Sequence, residues 1–161
     1  MYRIRRVTAA DAGVLARHRA EMFRDMGELS GDLYDTLIDA ARAYFTQAVA
    51  DGRYAGWVAE LDDGSGEIVG GAGLQLRELL PRPDAARGRL VRGPQGLVLN
   101  VYTEPAWRRR GVADALMREL LRWCRGNGID SVVLHASAEG RPLYERLGFA
   151  PTNEMRYDGG A

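Results

Sequence analysis

The sequence predicts an α+β domain of three layers, α/β/α, with helices on both faces of a mixed, mainly antiparallel twisted sheet containing one central parallel pair. Three observations carry this. Two helix-period segments precede a pair of β-rich runs separated by a turn cluster, the order of an antiparallel meander entered through two helices. A strand, helix, strand run over residues 97–136 implies a right-handed crossover that makes two strands parallel within that meander. With 161 residues and 46% hydrophobic content, the chain has apolar material for one core, so a single domain over 1–161 is expected.

Residues 2–7 form a short edge strand in this scheme, and Thr8 with Asp11 three positions on has the spacing of a helix N-cap and its acidic partner. A helix follows, with Ala12, Leu15, Ala16, Met22, Phe23 and Met26 on one face and Gly27 as its stop. A second helix fits residues 33–50, with Leu37, Ala41, Tyr44, Phe45 and Ala48 as its stripe and Asp51-Gly52 closing it. Residues 54–61 and 68–76 flank Asp62-Asp63-Gly64-Ser65-Gly66, the pattern of a hairpin with a longer loop. Residues 77–96, with Pro81, Pro83, Pro94 and five arginines, are expected to be an irregular segment, a functional flap or simply mobile, with mobility favoured.

The next strand spans residues 97–102 and is ended by Thr103-Glu104-Pro105, since proline cannot continue a central ladder. Over residues 111–125, Val112, Leu116, Leu120 and Trp123 share a face, Met117, Leu121 and Cys124 lie beside them, and Asp114, Arg118 and Arg122 lie opposite. Gly126-Asn127-Gly128 stops this helix and residues 131–136 make another strand. Pro142 opens a short helix ending at Leu147-Gly148-Phe149, and residues 155–157 supply a last strand.

Charge excludes several classes of function. Lys+Arg and Asp+Glu are both 22, so no net field draws the chain to nucleic acid or to an anionic membrane. Every one of those 22 basic residues is arginine, which rules out a Schiff-base lysine and a P-loop lysine. One cysteine, Cys124, permits no intrachain disulfide and no multi-cysteine zinc site, and it is read as a buried, inert thiol. His18 is read as a helix-edge residue, and no metal site is expected. Gly71-Ala72-Gly73 begins like a dinucleotide fingerprint, but Leu76 stands at the third glycine position. No signal-peptide-like run follows the basic start, so a cytoplasmic protein is expected.

The chemistry concentrates in Arg108-Arg109-Arg110-Gly111-Val112-Ala113. A turn between a buried strand and a helix leaves backbone N–H groups unpaired at the positive end of the helix dipole, which makes an anion site. Gly111 lets the backbone approach a phosphate, and Ala113 is small enough not to obstruct it. Alone, such an arginine-rich string more often marks solvated surface. With the strand before it, the amphipathic helix after it and Tyr144-Glu145-Arg146-Leu147-Gly148-Phe149 downstream, residues 97–150 resemble the core of the GNAT superfamily of acetyl-CoA-dependent N-acetyltransferases.

That resemblance implies acetyl-CoA as cosubstrate, an amine-bearing acceptor as partner, and a homodimer. It also implies that the backbone of Val101, Tyr102 and Thr103 pairs with the pantetheine arm, and that amides from Arg108 to Asp114, through Arg109, Arg110, Gly111, Val112 and Ala113, hold the pyrophosphate. Tyr144 matches the family's tyrosine beside the sulfur, where a phenol can protonate the departing thiolate; helix pattern alone would make it a core tyrosine. Two departures stand out: residues 137–142 lack the asparagine many members carry, and residues 131–136 lack the glutamate base some relatives use.

An alkylammonium must lose a proton before it attacks, and His135, Glu28 or a chain of waters can receive it. In the family the loop between the first two helices lines the acceptor pocket; here Met22, Met26, Glu28 and Asp32 lie in or beside it, and Asn100 is expected to reach the acceptor. Two alternatives keep the fold: a non-catalytic acyl-CoA sensor or scaffold, and an acyltransferase using a different acyl-CoA.

Overall fold

The structure, a computed structural model, describes residues 1–160. β1 (Tyr2–Arg6) leads through a short 3-10 turn into α1 (Ala12–Asp25), and α2 (Tyr34–Asp51) follows after a loop. The entry is pinned by Asp11, whose carboxylate accepts from the Thr8 N–H at 2.8 Å and from both terminal nitrogens of Arg5 at 2.9 and 3.0 Å. β2 (Tyr54–Leu61) and β3 (Ile68–Glu78) form the expected hairpin. After a small ribbon, β4 (Arg82–Asp84) and β5 (Arg89–Val91), come β6 (Pro94–Thr103), α3 (Val112–Gly126), β7 (Ser131–Leu134) and α4 (Arg141–Arg146).

The main sheet runs β1-β2-β3-β6-β7, antiparallel throughout except for the β6–β7 pair, which is parallel. Alternation along β2 shows how one strand serves two cores. Ala55, Trp57 and Ala59 face the α3 side with Val69, Ala72, Leu74, Leu116, Met117 and Leu120. Tyr54 and Val58 face α1 and α2 with Leu15, Ala16, Ala41, Phe45 and Ala48. Each fully buried Leu or Met of α3 contributes on the order of 2 kcal/mol by leaving water. Its opposite face carries the Asp114–Arg118 pair at 2.7 Å. The remaining ion pairs also use guanidinium groups, Arg5 with Glu60 and Arg17 with Glu104 among them.

Fold class follows expectation, and three details differ. Residues 77–96 are not irregular: β3 continues to Glu78, β6 begins at Pro94, and between them β4 and β5 pair antiparallel from Arg82↔Val91 to Asp84↔Arg89. Backbone hydrogen bonds hold this ribbon, so its prolines and arginines hid it from a hydrophobic-period search. Residues 155–157 form no strand, and Met155 and Tyr157 are 94% and 87% exposed. For want of that strand the parallel pair closes one end of the described sheet instead of lying in its middle. Third, His18 is fully buried, not at a helix edge.

Candidate active site

β6 pairs with β7 only from Gln95↔Ser131 to Val98↔Leu134. Beyond Val98, β6 keeps β3 on one side and has no strand on the other, so the two parallel strands part and leave Leu99 to Thr103 with a free edge. The separation begins at a bulge. Leu99 faces Gly73 and Tyr102 faces Gly71, so β6 spends one residue more than β3 over this interval. Asn100, in the bulge, has a φ of 60°, a left-handed conformation that asparagine tolerates better than most residues.

β6 runs through the Pro105–Trp107 turn into the N-terminus of α3, where Gly111 serves as N-cap at a φ of 80°. A residue with a Cβ is strained in that conformation. The Gly111 carbonyl accepts from the Ala115 N–H at 3.0 Å, while the N–H groups of Val112, Ala113 and Asp114 in the first turn lack intrahelical partners. They point out of the positive end of the helix beside the free edge of β6, an arrangement able to hold a pyrophosphate.

The arginines of the turn do other work. Arg108 donates to the Thr103 carbonyl at 3.0 Å and to Asp25 at 2.6 Å, and its guanidinium lies 5.5 Å from the centre of the Tyr102 ring, tying the end of α1 to the turn. Arg110 stacks 5.3 Å from the centre of a Trp107 ring. Arg109 is exposed, with a φ of 62°. The carboxylate of Asp114 is engaged by Arg118.

Tyr144 lies on α4 with its ring against Gly140, where even a methyl group would come within 2.9 Å of Cε2, and edge-on to Phe149 at 6.1 Å. Burial raises its phenol above the ordinary value, which keeps it protonated at neutral pH. His135 follows β7 directly, exposed, with Nε2 in hydrogen-bond contact with Glu154 of the C-terminal segment. Glu28 and Met26 are exposed and Met22 is half-buried, all at or beyond the end of α1.

Asn100 departs from its expected place. It is 2% exposed beneath α1, with Nδ2 donating to the Leu15 carbonyl at 3.0 Å and Oδ1 unpartnered, so its side chain is engaged with a helix and not open to an acceptor.

Sequence reasoning missed one cluster. The His18 ring lies 4.9 Å from that of Tyr102, and its Nε2 is 3.4 Å from Glu104 without hydrogen-bond alignment. Burial, helped by Arg17, lowers its pKa to about 4 despite the carboxylate. The signal was its position three residues after Leu15, on the buried face of α1. Among the described residues no group of His, Cys, Asp or Glu has a metal-binding arrangement.

The family described as Acetyltransferase (GNAT) matches residues 18–149. A glucosamine 6-phosphate N-acetyltransferase of Trypanosoma brucei brucei is 35% identical over 95 residues, 58% of this chain and 59% of that protein. The match therefore spans less than two thirds of that relative's length. An aminoglycoside N(6')-acetyltransferase type 1 of Stenotrophomonas maltophilia is 27% identical over 96% of this chain and 90% of that protein. Among solved structures, a GCN5-related N-acetyltransferase from Ralstonia eutropha JMP134 superposes with a TM-score of 0.86 at 33% identity, covering 100% of both chains. A predicted acetyltransferase from Clostridium acetobutylicum, solved with acetyl-CoA, gives 0.79 at 26% identity, covering 98% of this chain and 95% of that one.

Proposed function

The chain belongs to the GNAT acetyltransferase family and is an acyl-CoA-dependent N-acetyltransferase, and from that premise we propose that it moves the acetyl group of acetyl-CoA directly to an amine on a polycationic acceptor such as an aminoglycoside. The observation that carries the donor half is the cleft where β6 leaves β7, opening against the unpaired amides of α3. In this reading the free edge at Val101, Tyr102 and Thr103 pairs with the pantetheine amides, and Val112, Ala113 and Asp114 hold the pyrophosphate. Holding both substrates in one cleft removes most of the entropic cost of their meeting.

The amine nitrogen attacks the thioester carbonyl, a C–N bond forms, and the C–S bond breaks. Tyr144 gives its proton to the departing thiolate. The ammonium proton passes to His135, the better equipped of the two candidate side chains: Glu154 holds its Nε2–H and leaves Nδ1 with the lone pair. Glu28 has no such partner and serves the acceptor instead.

Support for a polycationic acceptor comes from the aminoglycoside N(6')-acetyltransferase, the relative matched over 96% of this chain, and from charge. Residues 25–39 contain Asp25, Glu28, Asp32, Asp35 and Asp39 and no arginine, in a chain whose 22 basic and 22 acidic residues balance as a whole. Acetyl-CoA at about 100 times its dissociation constant should stabilise the protein by about 2.7 kcal/mol, a rise in melting temperature of roughly 5 to 10 °C. No rise at saturation would remove the donor assignment. Release of CoA thiol should then be faster with amino sugars carrying several amines than with a singly charged monoamine, and the advantage should shrink with added salt. Equal rates at low and high salt would refute the polycation while leaving the donor intact.

A further inference from the structure

We infer that Asn100 is a positioning residue for acyl transfer: it locks the β6 bulge against α1 and so aims the strand's backbone amides at the thioester carbonyl. This rests on the acyl-CoA reading of the cleft. Four observations converge on it. The bulge lies where β6 loses β7 as a partner, so its unpaired backbone groups belong to the cleft and not to a ladder. The left-handed φ of 60° is what admits the extra residue. The Nδ2 donation to the Leu15 carbonyl, at 3.0 Å and buried, joins this strained point to the first turn of α1. Oδ1, equally buried, has no partner.

Glycine would meet the backbone requirement at less cost, since it adopts a positive φ freely and buries no polar atom. What asparagine adds is the tie. A buried acceptor left without a partner is unfavourable for the fold, so the residue is better accounted for by the geometry it imposes than by any stability it supplies. The tie also gives α1 a purchase on the cleft: the helix whose far end leads into the acidic loop is bonded to the point at which the strand amides change direction. An amide misaligned with a developing oxyanion loses much of its effect, so a small relaxation of the bulge is enough to matter.

The test needs no acceptor. With acetyl-CoA carrying 13C at the thioester carbonyl, infrared difference spectra report whether the bound carbonyl is polarised by hydrogen bonds. The wild-type protein is expected to move the carbonyl stretch to lower frequency. Asn100→Gly, which keeps the backbone freedom and loses the tie, is expected to bind acetyl-CoA with its affinity changed less than about threefold yet to return the stretch toward the free value. An Asn100→Gly protein that binds and retains the full shift overturns the proposal. Absence of acetyl-CoA binding by the wild type overturns the reading beneath it, a distinct result. Should Asn100→Gly not fold, Asn100→Ala, which lacks any donor to the Leu15 carbonyl and adds only a methyl group at the positive φ, carries the same comparison.

Discussion

In the proposed reaction a single oxygen, that of Tyr144, separates a catalyst from a holder. The ring is fixed between Gly140 and Phe149, and burial keeps the phenol protonated past its usual range. Tyr144→Phe preserves that packing and removes only the hydroxyl group. Turnover at saturating substrates should fall roughly 100-fold, with the melting temperature nearly unchanged, as read by CoA release and by thermal unfolding. An unaltered rate would mean that the thiolate leaves unprotonated or takes its proton from a group other than Tyr144. Because the phenol is raised, the wild-type rate should not be lost to Tyr144 ionisation as pH approaches 10. Tyr144 was legible in the sequence through its motif alone. Asn100 and His18 were not, because a left-handed φ and complete burial are set by what the rest of the chain packs around them. The three-residue step from Leu15 was the one available sign for His18.

The helix that carries the proposed anion site depends on how closely it can approach the sheet. Gly70 of β3 sits under the first turn of α3: a Cβ there would lie 2.9 Å from Val112 Cγ1 and 3.0 Å from the Tyr102 carbonyl. One of these neighbours is backbone and cannot move aside cheaply. Gly70→Ala should therefore cost about 1–3 kcal/mol of stability and displace the N-terminus of α3 from β6. In urea melts with and without acetyl-CoA, both the stability and the ligand-induced increment should fall. Loss of stability with an undiminished increment would show that the turn does not need this contact. Elements with strong periodicity were read from the sequence to within two residues at either end, α2, α3 and β2 among them. The β4–β5 ribbon has no apolar alternation to announce it, and residues 155–157 have the composition of a strand without a pairing partner in this chain.

Across the whole molecule, His18 couples folding to pH. Its pKa is about 4 in the fold and about 6.5 when unfolded, so both states are neutral above 6.5 and stability there is intact. As pH falls from 6.5 toward 4 the unfolded chain takes up a proton that the native state refuses. Stability declines through that window by about 3 kcal/mol and the His18 contribution is flat below it. Asp11 and Glu60 are held low, Asp11 against its burial and both through Arg5, so their losses come at more acid pH. Chemical denaturation at pH 7 and pH 4.5 should show the drop, and His18→Gln should flatten it. A wild-type protein equally stable at both values would contradict the buried neutral imidazole.

The ion pairs of this fold are built on guanidinium groups, and the chain contains no lysine. Guanidinium holds its proton under all ordinary conditions and so offers no lone pair to an electrophile. In the proposed reaction no lysine of the chain can therefore compete with the acceptor for the activated thioester. Incubated with labelled acetyl-CoA and no acceptor, the protein should gain no label on a basic side chain of the lysine type, and any label it does retain points to the Met1 amine, a histidine, Cys124 or a hydroxyl.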